Sequence, residues 1–370
     1  MTALLVRALR DPGTLAGLDL GGWDLLVRQA RAAGLLARVA LLAEAAPEAP
    51  RRHLAAALAL ADKQRRDVWW ELHCLRRALE PCGCPLIALK GAAYVAAGLP
   101  PGECRGFGDI DLLVPRRLLA TAEAALAEHG WETTTRHPYD NFYYRHWMHE
   151  VPPLRHVIRG TVVDLHHAVA PPLTHPGLDS DTLIDAARPA GGRWSVLAPA
   201  DMVLHSALHL FDEGAPARAL RDLDDIARLL ARFSAEPGFW RDLPARADRF
   251  GIRPALDRAL AWASRLLGAP VPPALLRPTA AAPIFERLLR PDHASCRDRW
   301  TRPALGLLYL RAHLLRLPLG LLVPHLLRKA VRAVIDPQAT MTRSRNRPDA
   351  EGTPASEDSA CAPLPPSSPP

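Results

Sequence analysis

Two aspartates stand two residues apart inside an otherwise apolar run, Gly108-Asp109-Ile110-Asp111-Leu112-Leu113-Val114. Nothing else in the chain restricts its fold so sharply. The run reads as a strand, where side chains at i and i+2 share a face roughly 7 Å apart. Asp109 and Asp111 therefore project side by side, while Ile110, Leu112 and Val114 can face a core. Aspartate is a poor strand former, and two carboxylates this close repel unless a cation or a proton lies between them. The expectation is a divalent metal. The plainer alternative is a solvent-facing edge strand.

Length and composition set the frame for that strand. With 370 residues, 49% hydrophobic and 23% charged, the chain is globular and long enough for two or three cores. The net charge of +7 is unevenly placed: residues 291–335 hold eight Lys or Arg against two Asp. An excess confined to one segment argues against a general nucleic-acid surface. No apolar run reaches the roughly 18 residues of a membrane span, and the first residues carry no leader pattern. The six cysteines include no CxxC pair, and Cys82-Gly-Cys84 is too tight for a zinc knuckle. Reduced thiols in a cytoplasmic protein are expected.

Residues 1–80 show apolar positions at helical spacing, with Leu25-Leu26, Leu35-Leu36, Leu54, Leu58, Val68 and Leu72 among them. A mixed core over 81–195 follows. Strands are expected at Pro85–Lys90, Gly108–Val114, Trp131–Thr135, Asn141–Glu150 and Thr161–His167, and Gly191-Gly192 is read as the end of this region. Helices are expected from Gly91 to Ala97 and from Pro115 to His129, the second closed by Gly130. Over 196–335 helical patterns return at Asp201–Phe211, Ala217–Phe233, Gly238–Phe250, Pro254–Leu267 and Pro303–Ile335. Residues 336–370, rich in Pro, Ser, Thr and Ala, read as a disordered tail. The class is α+β, a central mixed sheet with a helical N-terminal region and a C-terminal helical bundle.

Strand, Lys90-Gly91 turn, helix, then a strand with Asp-x-Asp form one physical device. A glycine at a strand-to-helix turn lets backbone N–H groups approach a phosphate, and a helix N-terminus favours negative charge. Asp109 and Asp111 would hold magnesium against the same phosphates. A third carboxylate is wanted on a neighbouring strand, both for the metal and to help deprotonate an attacking hydroxyl. Val162-Val163-Asp164-Leu165-His166 supplies it. By alternation His166 shares a face with Asp164, and His167 takes the other.

The sequence Leu89-Lys90-Gly91, then Arg105-x-x-x-Asp109-Ile-Asp111-Leu-Leu-Val114, then Val162-Val-Asp164-Leu-His166-His167 resembles the uncharacterised bacterial nucleotidyltransferases of the polymerase-β-like superfamily. Asp201-Met-Val-Leu-His205 with His209, and Leu220-Arg-Asp-Leu-Asp-Asp225, fit the helical half of that family, so the resemblance runs over roughly 20–335. It implies a nucleotidyltransferase fold that moves a nucleoside monophosphate from an NTP, ATP by default, to an acceptor hydroxyl and releases pyrophosphate. It implies two Mg2+ or Mn2+ ions on Asp109, Asp111 and Asp164. Lys90, Gly91 and Arg105, with His166, become substrate-binding candidates. Lys90-Gly91 stands where the superfamily usually has Gly-Ser, so a serine contact to phosphate is missing. The acceptor is left open among small molecules, natural products and proteins.

Other readings stay beside these. Arg105 pairs as readily with Asp109 or Asp111 as with a phosphate. A catalytically inactive nucleotide-binding regulator would keep the same fold. Asp201, His205, His209 and Asp225 suggest a metal-dependent phosphohydrolase, although helix packing explains the i,i+4 histidines equally well. The basic, leucine-rich stretch over 303–335 fits either core helices broken by Pro318 and Pro324 or a peripheral membrane contact.

Overall fold

Segments only two to five residues long build the sheet, and helices pack against it. The computed structural model describes residues 3–43, 46–134, 138–212, 218–316 and 320–324. Four helices come first: α1 (Leu4–Arg10), α2 (Leu20–Ala32), α3 (Leu36–Leu42) and α4 (Glu48–Leu79). Asp19 caps α2 by accepting from the Gly22 N–H. Leu5, Leu9, Trp23, Leu26 and Val39 of α1–α3 bury together against Leu220, far along the chain.

The sheet has seven strands: β1 (Ile87–Ala88), β2 (Ile110–Leu113), β3 (Trp131–Thr133), β4 (Leu154–His156), β5 (Val162–His166), β6 (Arg188–Pro189) and β7 (Ser195–Val196). Their order is β3-β4-β5-β2-β1-β7-β6. β2 lies between β5, to which it runs parallel, and β1, to which it runs antiparallel. It is a central strand, which removes the edge-strand reading of Asp109 and Asp111. Between strands run α5 (Lys90–Ala96), α6 (Leu119–Glu128), α7 (Pro138–Trp147) and α8 (Ser180–Asp185). The C-terminal helices are α9 (Pro199–Asp212), α10 (Ala219–Phe233), α11 (Phe239–Arg249), α12 (Arg253–Leu267), α13 (Ala282–Leu288) and α14 (Thr301–Arg316). The α+β class follows directly from this arrangement.

One buried cluster joins the α4 face (Leu72, Leu75), the strands (Leu112, Leu165) and the C-terminal helices (Ile226, Trp262). Accordingly Met1–Val323 forms one unit by contact, although the sequence pattern changes near 80 and again near 196. The sheet continues past Gly191-Gly192, which turn the chain from β6 into β7.

The expected strand over Asn141–Glu150 is instead largely α7. Its aromatic residues favour strands, but Tyr139, Tyr143 and Trp147 recur every four positions and their rings meet edge to face. Pro138 opens that helix at a position where a missing N–H costs nothing. The expected helix from Pro115 is a 3₁₀ turn at Arg116–Leu118 leading into α6. The described cysteines, Cys74, Cys82, Cys84, Cys104 and Cys296, are all unbridged. No helix among the described residues is long and apolar enough to cross a membrane. On α14, Leu307, Leu310 and Leu314 are exposed while Leu308 and Ala312 are buried. The remainder of the 303–335 stretch after residue 324, and the tail expected over 336–370, lie outside the described residues.

Gly102 fixes how α5 is held. A Cβ there would stand 2.9 Å from the Tyr94 carbonyl and from the Val95 nitrogen, which are backbone atoms and cannot swing aside. Gly102→Ala should therefore destabilise the protein by about 2–3 kcal/mol, as overpacking does. The check is the midpoint of urea unfolding, which should fall with no change in slope.

Candidate active site

Parallel pairing of β2 with β5 sets Asp111 directly opposite Asp164, at an interstrand spacing of about 4.8 Å. Asp109 lies just ahead of β2, two residues before Asp111. Ile110 and Leu112 of β2, with Val163 and Leu165 of β5, are buried in the core. Strand period and strand pairing thus bring all three predicted carboxylates to one place. Their oxygens do not close up as a set, however. Among the described residues one group of His, Cys, Asp or Glu has donor atoms all within 4.8 Å of one another, and it is His149, Glu150 and His166.

The three aspartates differ sharply in surroundings. Burial works to raise the Asp111 pKa, but Lys90 and His166 overcome it and hold the carboxyl well below the usual range. The Lys90 ammonium donates to Asp111 Oδ1 at 2.8 Å, and His166 Nε2–H donates to the same oxygen at 3.0 Å. Asp164 has no such help. Burial first, then the charges of Glu150, Asp109 and Asp111, push its pKa well up. Its Oδ1 is buried with no hydrogen-bond partner among the described residues. Asp109 keeps exposed surface but stands on a crowded rim, where lost hydration and the Asp111 carboxylate raise its pKa. A divalent cation fits this donor set. It would satisfy the orphaned Asp164 oxygen and relieve the repulsion felt by Asp109.

Lys90 adopts φ +45°, in the left-handed region, at the first position of α5. For a residue with a Cβ that conformation is strained by about 1–2 kcal/mol, and here it goes with a side chain directed at Asp111. Gly91 serves a packing need rather than an unusual φ. A Cβ on it would meet the Phe107 ring at 3.0 Å and Arg105 Nε at 3.1 Å. Helix α5 is only seven residues long.

Arg105 turns to α10. Its guanidinium pairs with Asp225, approaches Asp222 at 3.7 Å and lies 5.8 Å from the centre of the Tyr94 ring. It makes no ion pair with Asp109 or Asp111 among the described residues, so the clamp expected between them is not formed. The phosphohydrolase grouping is likewise taken apart. Asp201 is held by both prongs of Arg246 at 2.5 and 2.6 Å, and Asp225 is occupied by Arg105. His205 is buried on α9 in the helical layer.

Two residues of the site escaped sequence reasoning. Glu150 bridges antiparallel to His166 and approaches its Nε2 at 3.5 Å. The His149 ring lies 5.3 Å from that of His166, centre to centre. Reading 141–150 as one strand hid both. The usable signal was the His-Glu pair next to Val151-Pro152-Pro153, where a helix cannot continue. His167 follows β5 in a bend, and burial, then Arg116, hold its pKa down at about 4.

These surroundings give Asp111 and Asp164 opposite effects on stability. Asp111 has a depressed folded pKa, so its contribution is present above the unfolded value near 4 and lost as pH falls below it. Asp164 has a raised folded pKa, so the folded state loses stability as pH rises from about 4 through that pKa. In chelator at pH 7.5, Asp164→Asn should raise the melting temperature by a few degrees. Asp111→Asn should lower it, because Lys90, with 14% of its side chain exposed, then loses the carboxylate to which it donates. Thermal unfolding of both variants at pH 7.5 checks both signs, with a scan from pH 4 to 8 following Asp164 and one below pH 4 following Asp111.

No curated protein matches the chain, and no solved structure does. A family model described as uncharacterised nucleotidyltransferase matches residues 20–268, more than half of the 370 residues and from α2 through α12. With Asp111 and Asp164 paired across two neighbouring parallel strands and Asp109 just ahead of one of them, this chain belongs to that family of uncharacterised nucleotidyltransferases.

Proposed function

We propose that the protein moves a nucleoside monophosphate from an NTP, ATP by default, to an acceptor hydroxyl, releasing pyrophosphate and using Mg2+ or Mn2+ at Asp109, Asp111 and Asp164. The observation that carries this reading is the register of Asp111 opposite Asp164, with Asp109 two residues upstream. Bound there, divalent cations supply charge to the α-phosphate and to the attacking and leaving oxygens. The protein does the rest by placement.

Asp111, held ionised by Lys90 and His166, offers a carboxylate whose position is already fixed. His166 is a positioning residue, since its Nε2–H locks the orientation of that carboxylate. Asp164, resisting ionisation while the site is empty, would ionise with a cation beside it and could then accept the proton of the acceptor hydroxyl. Lys90 pairs with Asp111, and an incoming triphosphate would give its ammonium a second anion to bridge. Gly91 lets Phe107 and Arg105 pack close beneath the turn. Arg105 fixes the loop before β2 to α10 and so positions Asp109. The acceptor class stays open among small molecules, natural products and protein side chains, and the unbridged thiols support a cytoplasmic setting.

One observation favours a second reading, that of a nucleotide-binding regulator without turnover. The Lys90 ammonium already neutralises one of the metal-facing carboxylates. Pyrophosphate release separates the two. With magnesium, each of the four NTPs and a cell extract as acceptor source, the wild-type chain should release pyrophosphate and label an acceptor with one of them. Asp109→Asn should reduce this about a thousandfold, the several kcal/mol of charge stabilisation a metal supplies. Nucleotide binding with no pyrophosphate from any NTP would select the regulator.

A further inference from the structure

We propose that His149, Glu150 and His166 form a second metal site, distinct in its donors from the aspartates, that takes a transition-metal cation of the zinc type. One donor atom from each lies within 4.8 Å of the others. Two imidazoles and one carboxylate suit Zn2+, Co2+ or Ni2+ and not Mg2+, which takes oxygen donors. Three protein ligands of this kind leave a fourth position open to water or substrate.

The backbone beneath these donors is fixed. Glu150 bridges to His166, Val151 N–H donates to the Leu165 carbonyl at 3.0 Å, and His167 N–H donates to the His149 carbonyl at 2.9 Å. His149 and His166 are 2% and 0% exposed, so both rings are locked by packing. His166 Nε2 stands 3.0 Å from Asp111 Oδ1 and 3.5 Å from Glu150 Oε2, so the Asp111 carboxylate fixes the ring with that nitrogen beside Glu150, as an outer carboxylate orients a ligating imidazole. Tetrahedral bonds of about 2.0–2.2 Å need donors about 3.3–3.5 Å apart. The widest pair therefore has to draw in by up to about 1.5 Å, and Glu150, the most exposed of the three, is the arm able to move. Through His166 this cation would be one residue away from Asp111, so its occupancy would stiffen the carboxylate on which the β2 side of the aspartate cluster rests.

The test uses the full-length chain stripped with chelator and titrated with Co2+ alone, then with Zn2+ or Mg2+ as competitor. One equivalent of Co2+ should give a visible d–d band without thiolate charge transfer, removed by Zn2+ and untouched by millimolar Mg2+. His149→Ala should weaken Co2+ binding at least about tenfold and abolish the rise in melting temperature that Zn2+ gives the wild type. Glu150→Gln should weaken it by a comparable factor and covers the case in which His149→Ala does not fold. Asp109→Asn should keep the band. The proposal is overturned if the wild type gives no band, if the band carries thiolate charge transfer, or if both variants bind as tightly as the wild type. Pyrophosphate release with magnesium is scored separately, so either result leaves the other standing.

Discussion

A buried carboxylate shared by an ammonium and an imidazole is the constraint around which this molecule is arranged. Asp111, 5% exposed, accepts from Lys90 and from His166 on a single oxygen. Removing a carboxylate from water costs several kcal/mol unless partners with good geometry replace the solvent. Each partner comes from a different element, and each places a demand on the fold. Lys90 requires a left-handed residue at the start of α5. His166 requires β5 to run parallel to β2 in one register, since a shift of one residue would turn its ring to the opposite face. Glu150 then follows from the bridge that the next segment makes with His166.

The same register produces an asymmetry between two chemically identical side chains. Asp111 and Asp164 are nearest neighbours across the ladder, yet one is held ionised and the other resists ionisation. Distance from water does not distinguish them, because burial acts in the same direction on both. Their partners do. Two hydrogen-bond donors converge on Asp111, whereas the charges nearest Asp164 are those of other carboxylates. Environments that push paired acids apart divide them into a fixed charge and a group that keeps its proton.

Much of this was legible in the chain, for reasons that can be stated residue by residue. β2 and β5 showed themselves because polar Asp interrupts runs of Ile, Leu and Val, and a period of two needs only four or five residues to register. β6 and β7, two residues each, are too short to show any period. α7 was hidden by its composition, since Tyr, Phe and Trp favour strands when taken singly. Only their spacing and Pro138 reveal the helix, and misreading it concealed His149 and Glu150 at its end. Arg105 was legible as a charged group near the carboxylates but not in its choice of partner. Asp222 and Asp225 lie over a hundred residues away, and no local pattern encodes that meeting.

That distant pairing explains why the helices after the sheet belong to the site. Tyr94 of α5 hydrogen-bonds Ser206 of α9 at 2.8 Å, and Arg105 is seated on α10. Both side chains are buried or nearly so, and both belong to the stretch that carries Lys90 and Asp109. A segment ending near residue 195 would leave the Arg105 guanidinium without its carboxylates, and an uncompensated charge of this kind destabilises by about 3–5 kcal/mol. The change of pattern there marks where strands give way to helices, and the core continues through it. The family match behaves in the same way, running unbroken from α2 to the end of α12. Geometry at the three aspartates is thus set as much by acids on a C-terminal helix as by the strands that display them.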